Sequence, residues 1–210
     1  MKTIVFNSQK GGSGKTMLVK HLSVQAEKSG DGPVYIIDND EQATFTRWHQ
    51  KREAETPTRV DLPFEEISKG LAHLRAQGAS YCFVDTASGR LEIASHLFAL
   101  ADLVVFPVQP SEDDLSAAPV TVRNLKATNV KFVFVLTRAK ANTLITAQAA
   151  AILSQHGRVA QTFVGDRVGY KSPYPHGQTV IEARPKSDEA REISALWQNI
   201  KSCISENNNS

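Results

Sequence analysis

The chain has 210 residues, 41% of them hydrophobic, and 24 Lys+Arg against 22 Asp+Glu for a formal charge of +2. That hydrophobic share excludes a disordered chain, the length fits one α/β domain, and the balanced charge excludes a uniformly basic surface while leaving room for a local basic patch. The two cysteines, Cys82 and Cys203, stand far apart in no metal-binding spacing, which points to a reducing compartment.

The first residues, MKTIVFNS, run straight into a strand pattern with no signal-peptide core. No apolar run approaches the roughly 18–20 residues that span a bilayer, so the expectation is a cytoplasmic protein with no membrane segment. Short β-branched runs then alternate with longer amphipathic segments, the pattern of βαβ units and a mostly parallel, buried sheet. Strands are expected over residues 3–7, 34–38, 81–85, 102–108, 131–137 and 159–164, with a short edge strand over 59–62. Helices are expected over 15–28, 42–52, 64–77, 91–100, 113–127, 142–156 and 188–204. Residues 165–186 read as a long irregular stretch, and 206–210 as a frayed polar end.

Between the first strand and the first helix the chain reads FNSQKGGSGKT, residues 6–16. Gly11, Gly12 and Gly14 let the backbone turn so that successive N–H groups face phosphate oxygens, and the helix N-terminus adds partial positive charge. Lys15 can then reach the outer phosphates of a nucleotide, and the Thr16 hydroxyl can bind Mg²⁺. Ser13 and Met17 belong to the same expected nucleotide-binding set; the alternative is a glycine-rich turn without a ligand. The expected fold is therefore α/β, a single-domain P-loop NTPase with a mostly parallel twisted sheet flanked by helices on both faces. Residues 1–206 form the domain and 207–210 a polar C-terminal tail.

Two carboxylate segments follow in the order such a site needs. In IIDNDEQ, residues 36–42, a period of two places Asp38 and Asp40 on one side of a strand end, at the sheet edge where doubly wound folds bind ligands. The plainer alternative is a pair of aspartates capping the next helix. In YCFVD an apolar strand ends in Asp85, the form of a Walker B carboxylate that holds Mg²⁺ directly or through water, and Thr86 to Gly89 suit a switch loop. Further on, Pro107 and Pro110 stop a strand, and Asp113 or Asp114 favours the next helix start.

KGGSGKT resembles the deviant Walker A signature of the ParA/MinD ATPases, with Gln9 where the general pattern has Gly. IIDNDEQ, FVDTASG and FPVQPSEDD extend the match over residues 1 to about 185, with departures at Glu41, where Pro is usual, and Thr137, where Asn is usual. The resemblance implies ATP and Mg²⁺ as ligands and a homodimer sandwiching two ATP molecules. In that arrangement Lys10 reaches the partner's phosphates, Asp40 orients the attacking water, and Asp38 supports the surroundings of the magnesium. The implied catalytic residues are Lys10, Lys15 and Asp40, the metal residues Thr16, Asp38 and Asp85, and Arg138 borders the adenine, with the 165–170 loop as the other wall.

A small plasmid-partition ParA is the nearest type, driving DNA partition through non-specific DNA binding and a small centromere-binding activator. Such a protein is nucleoid-associated when ATP-bound. The implied DNA contacts are Arg158, Arg167, Lys171, Arg184, Lys186, Arg191 and Lys201. Interleaved Asp166, Glu182, Asp188, Glu189 and Glu192 leave a solvated surface as the alternative. Three other readings stay open: a related ATPase positioning another cargo, one assisting conjugative DNA transfer (DNDEQATFTRW, residues 38–48, looks like such members), or a slow ATP-dependent assembly switch.

Overall fold

Strand residues with apolar side chains on both faces need cover on both faces, and the chain supplies it by returning through a helix after nearly every strand. The computed structural model describes residues 1–89 and 91–206, with the backbone alone for 91–93; the tail expected over 207–210 lies outside the described residues. In chain order the elements are β1 (Lys2–Phe6), α1 (Lys15–Lys28), β2 (Val34–Asn39), α2 (Thr44–His49), β3 (Thr58–Val60), α3 (Ile67–Ala76), β4 (Tyr81–Thr86) and α4 (Leu91–Ala99). They continue with β5 (Leu103–Val108), α5 (Glu112–Ala127), β6 (Phe132–Ala139), α6 (Leu144–Ser154), β7 (Val164–Gly165), α7 (Val180–Ala183) and α8 (Asp188–Ser205).

The strands form one seven-stranded sheet in the order β3-β2-β4-β1-β5-β6-β7, and every pairing is parallel. β1 is central: Ile4 lies opposite Phe83 of β4 on one side and Leu103 of β5 on the other. Alternate residues divide between the faces. Ile4, Phe6, Ile36, Phe83 and Val105 pack with Leu18, Leu22, Trp197 and Ile200 of α1 and α8. Val5, Ile37, Val84 and Val104 pack with Ile67, Leu71, Leu97 and Leu125 of α3, α4 and α5. The sheet is thus flanked on both faces, as its pattern foretold. α8 is stitched down by Asp31, whose carboxylate accepts hydrogen bonds from Trp197 Nε1 (2.7 Å) and Lys201 Nζ (2.9 Å).

Four local expectations are corrected. The helix expected over 42–52 is confined to Thr44–His49, because Ala43 N donates to Asp40 O (2.7 Å) in a turn that puts Ala43 at φ 47°. The last strand, expected over 159–164, is broken: Val159 bridges Phe134, the chain then leaves the edge so that Thr162 N donates to Asn199 Oδ1, and pairing resumes at Val164. The 165–186 stretch contains a helix, α7, opened by Thr179 and Glu182 as a capping box, a T-x-x-E signal legible in the sequence. Finally, α5 is capped by Ser111, which accepts from Asp114 N, rather than by Asp113 or Asp114.

His21 of α1 is fully buried, with Nδ1 2.9 Å from Met17 O and Nε2 placed to accept from Val180 N at 3.4 Å. This is the arrangement of a neutral ring carrying its proton on Nδ1. Burial pushes its pKa down to about 4, with Lys20 adding to the effect and Met17 and Glu182 opposing it. Because the unfolded ring takes up its proton near its ordinary 6.5, the stability that neutral His21 contributes is present above that pH and lost as pH falls toward 4. In urea unfolding the parent should lose on the order of 3 kcal/mol more stability than His21→Leu as pH falls across this window, a difference in which groups common to both proteins cancel.

Candidate nucleotide site

At the carboxyl ends of β1, β2 and β4 a cleft of about 570 Å³ opens, lined by Gly11, Gly12, Gly14, Lys15, Thr16 and Met17. Its opposite wall is Asp40, Glu41, Gln42 and Thr44, closed by Ala87, Ser88 and Arg138. Gly12 and Gly14 stand at φ 80° and 103°, a region costly for residues with a Cβ, and this is what turns β1 abruptly into α1. At Gly14 an added Cβ would also sit 3.4 Å from Thr137 Cγ2.

Two residues outside the loop hold it in place. Thr137 Oγ1 donates to Ser13 O at 2.6 Å, and Gln109 Nε2 donates to Gly12 O at 3.0 Å. Neither role was legible beforehand. Thr137 registers in the sequence only as a departure from Asn, and Gln109 as a polar residue between two prolines.

Lys15 is almost wholly buried, and its ammonium donates to Ser88 Oγ (2.6 Å) and Ser8 Oγ (3.2 Å). Burial lowers its pKa, and the negative charge of Asp85 and Asp40 counteracts this. Asp85 is fully buried, lies opposite Asp38 in the β4–β2 pairing, and neither of its oxygens completes a hydrogen bond. Burial pushes its carboxyl up to about 7; Asp38 and Asp40 push the same way, while the nearby Thr16 hydroxyl and Lys15 ammonium favour the charged form.

Asp38 uses one oxygen to accept from Thr46 N (2.9 Å) and Thr46 Oγ1 (2.6 Å), tying β2 to the first turn of α2 in the capping arrangement, while its other oxygen receives Asp40 N at 3.3 Å. Asp40 accepts from Gln42 N at 2.9 Å and faces the cleft. An orphaned buried carboxylate beside a threonine hydroxyl fits Mg²⁺, an oxygen-seeking ion usually carried by one or two carboxylates and by phosphate oxygens. Thr16 and Asp85 would hold it, with Asp38 behind them.

Of the expected nucleotide-binding residues, Gly11, Gly12, Gly14, Lys15, Thr16, Met17 and Arg138 border one cleft. Arg138 does so from a backbone at φ 50°. Ser13 is buried behind the loop. Lys10 is not a lining residue of this cleft; its half-exposed ammonium turns to Asp113 (3.4 Å) and Asp114 (4.0 Å) at the start of α5.

A parallel sheet whose central strand passes into a helix through left-handed glycines, with a lysine and carboxylates at the open edge, is the construction of a P-loop nucleotide-binding domain. The chain belongs to the CobQ/CobB/MinD/ParA nucleotide binding domain family, whose model matches residues 4–180. It is 24% identical over 204 residues to "Maintenance of carboxysome distribution protein A" of Halothiobacillus neapolitanus, covering 91% of this chain and 94% of that protein. Its fold is that of MinD, the septum site-determining protein of Pyrococcus horikoshii solved with Mg-ADP (TM-score 0.79, 14% identity, 97% of each chain). A putative plasmid partition protein of Borrelia burgdorferi, solved with AMPPNP, is similar as well (TM-score 0.70, 17% identity, 96% of this chain and 98% of that one).

Thr137→Val keeps the shape at the loop's support and leaves the Ser13 carbonyl unpaired, a loss of about 1–3 kcal/mol. A melting temperature lower by several degrees and roughly tenfold weaker binding of a fluorescent ATP analogue are expected; unchanged nucleotide affinity would show that the loop holds its form without this bond.

Proposed function

We propose that the chain is an ATP-hydrolysing, ATP-dependent dimer that positions cargo along DNA, as a partition protein does. The observation that carries this reading is the division of labour between two lysines on one loop. Lys15 is sunk in its own cleft among hydroxyls and carboxylates, and Lys10 points out of that cleft from an exposed position. Lys10 is thereby free to meet a nucleotide held by a second copy, at the cost of a surface ion pair of little strength.

In this reading Lys15 and the loop N–H groups bind the phosphates, and Asp40 orients water at the cleft's outer wall. Arg138 borders the base. Mg²⁺, when bound through Thr16 and Asp85, neutralises charge on the phosphate oxygens. The residues act by position and charge and form no covalent bond to substrate. Non-specific DNA and a small activator protein are the proposed partners, the activator acting by shifting the balance between switch-loop states. A second reading, an ATPase that positions a protein cargo, is favoured by the similarity to a carboxysome distribution protein along nearly the whole chain.

Asp40→Ala should lower ATP turnover by about 10²-fold or more while leaving ATP-dependent dimerisation intact. Undiminished turnover would remove Asp40 from the mechanism. DNA titrations without nucleotide, with ADP and with ATP separate the two readings: partition calls for ATP-dependent, sequence-independent binding that falls steeply with salt and is lost in Lys10→Ala. Dimerisation without DNA binding would favour the protein cargo.

A further inference from the structure

Behind the nucleotide cleft lies a second opening of about 640 Å³, lined by Lys20, Thr44, Arg47, Trp48, Gln50, Lys51, Lys171, Tyr174 and Pro175. Four of these residues are cations and none is an acid. Lys20 stands out. The residue is 4% exposed, its ammonium reaches the groove, and among the described residues that ammonium has no ion pair and no hydrogen-bond partner. It lies 4.5 Å from the centre of the Tyr174 ring and 5.5 Å from that of Trp48, with cation–π attraction as its compensation. Burial pushes its pKa down to about 8, Arg47 and Lys51 add to this, and Asp85 and Asp38 oppose it from the nucleotide side.

An ammonium with no acceptor in the protein, at the floor of an open groove lined by three more cations, presents its N–H groups to whatever anion enters. Arg47 donates to Gln42 O and Thr44 Oγ1, so the rim is held in place, while no ion pair ties Lys51 or Lys171 among the described residues. Four of the seven basic residues expected toward the C-terminus differ. Arg158 pairs with Glu206, Arg167 with Glu192, Arg191 with Asp188 and Lys201 with Asp31. Much of their charge is already answered within the chain.

We infer that the groove between α1, α2 and the 171–176 loop binds the phosphodiester backbone of DNA, with Lys20 at its floor and Arg47, Lys51 and Lys171 at its rim. This rests on the proposed function and gives its DNA a location. The groove also adjoins the nucleotide cleft: Thr44 lines both, and α2 is tied to β2 through Asp38 and Thr46.

The test is the binding of a short fluorescent DNA duplex of mixed sequence by the full chain with ATP. Variants are Lys51→Gln/Lys171→Gln, Lys20→Met, and Arg158→Gln/Arg191→Gln as the contrast; binding of a fluorescent ATP analogue checks that each is folded. The rim double variant, on exposed side chains, keeps the test valid should Lys20→Met fail to fold. Expected are about tenfold weaker duplex binding and a log–log salt slope shallower by about 2 for the rim double variant, with the contrast variant near the parent. Groove variants that bind like a DNA-binding parent would overturn the groove and leave the proposed function standing. A parent that binds no duplex with ATP would overturn both. Equal competition by inorganic phosphate, or by polyglutamate, at matched charge would overturn the assignment to a phosphodiester polymer.

Discussion

One ammonium and three carboxylates crowd the carboxyl edge of this sheet, in a place with little water to screen them. Lys15 is held by two serine hydroxyls rather than by a carboxylate, and Asp85 completes no hydrogen bond at all. Removing either charge from water costs several kcal/mol unless it is matched, so the edge is electrostatically incomplete by itself. The fold sustains this because β1, β4 and β2 are fully paired beneath it, and because Thr137 and Gln109 hold the loop from the far side. An anion with a divalent cation would supply partners of both signs at once. The site and the sheet are in that sense one design, with the strands holding the charges together at one edge.

How much of this the sequence disclosed depends on the range of the interactions involved. β1, the glycine loop and α1 were legible to within a residue or two, because glycines, a strand run and a helix run follow one another locally. Asp38 and Asp85 were legible as residues near strand ends, and Asp40 follows directly on the end of β2. The broken strand at 159–164 was not, because what interrupts it is Asn199, 37 residues away along the chain. The start of α2 was missed for another reason: a left-handed alanine has no sequence signature of its own. α7 could have been found from Thr179 and Glu182, and it was hidden by the Gly, Pro and Tyr around it.

The same distinction governs the basic residues. Counted along the chain, cations concentrate near the C-terminus, and composition alone marks that region as the basic one. In space, Asp31, Asp188, Glu192 and Glu206 take up several of those charges, while Lys20, Arg47, Lys51 and Lys171, from α1, α2 and the 171–176 loop, line one groove without an acid. Lys20 is the instructive case. At one position in a helix it reads as a solvated residue, yet it lies under Trp48 and Tyr174. The loop carrying Tyr174 is fixed close to α2: an added Cβ at Gly177, itself at φ 65°, would stand 2.5 Å from the Lys51 carbonyl carbon. Distant segments have to meet before such a pocket exists.

Ser88 is the fastener between β4 and the glycine loop. Its hydroxyl receives the Lys15 ammonium and donates to Lys10 O at 3.2 Å, and Gly89 N reaches Ser8 O at 3.3 Å, so the chain after β4 is fastened to the glycine loop. An ammonium has three hydrogens to give, and here the serines claim two of them. The third hydrogen is left to meet an anion at the cleft. Glycine loop, buried lysine and the backbone that follows Asp85 are thereby joined through one nitrogen, and a change at any of them bears on the other two.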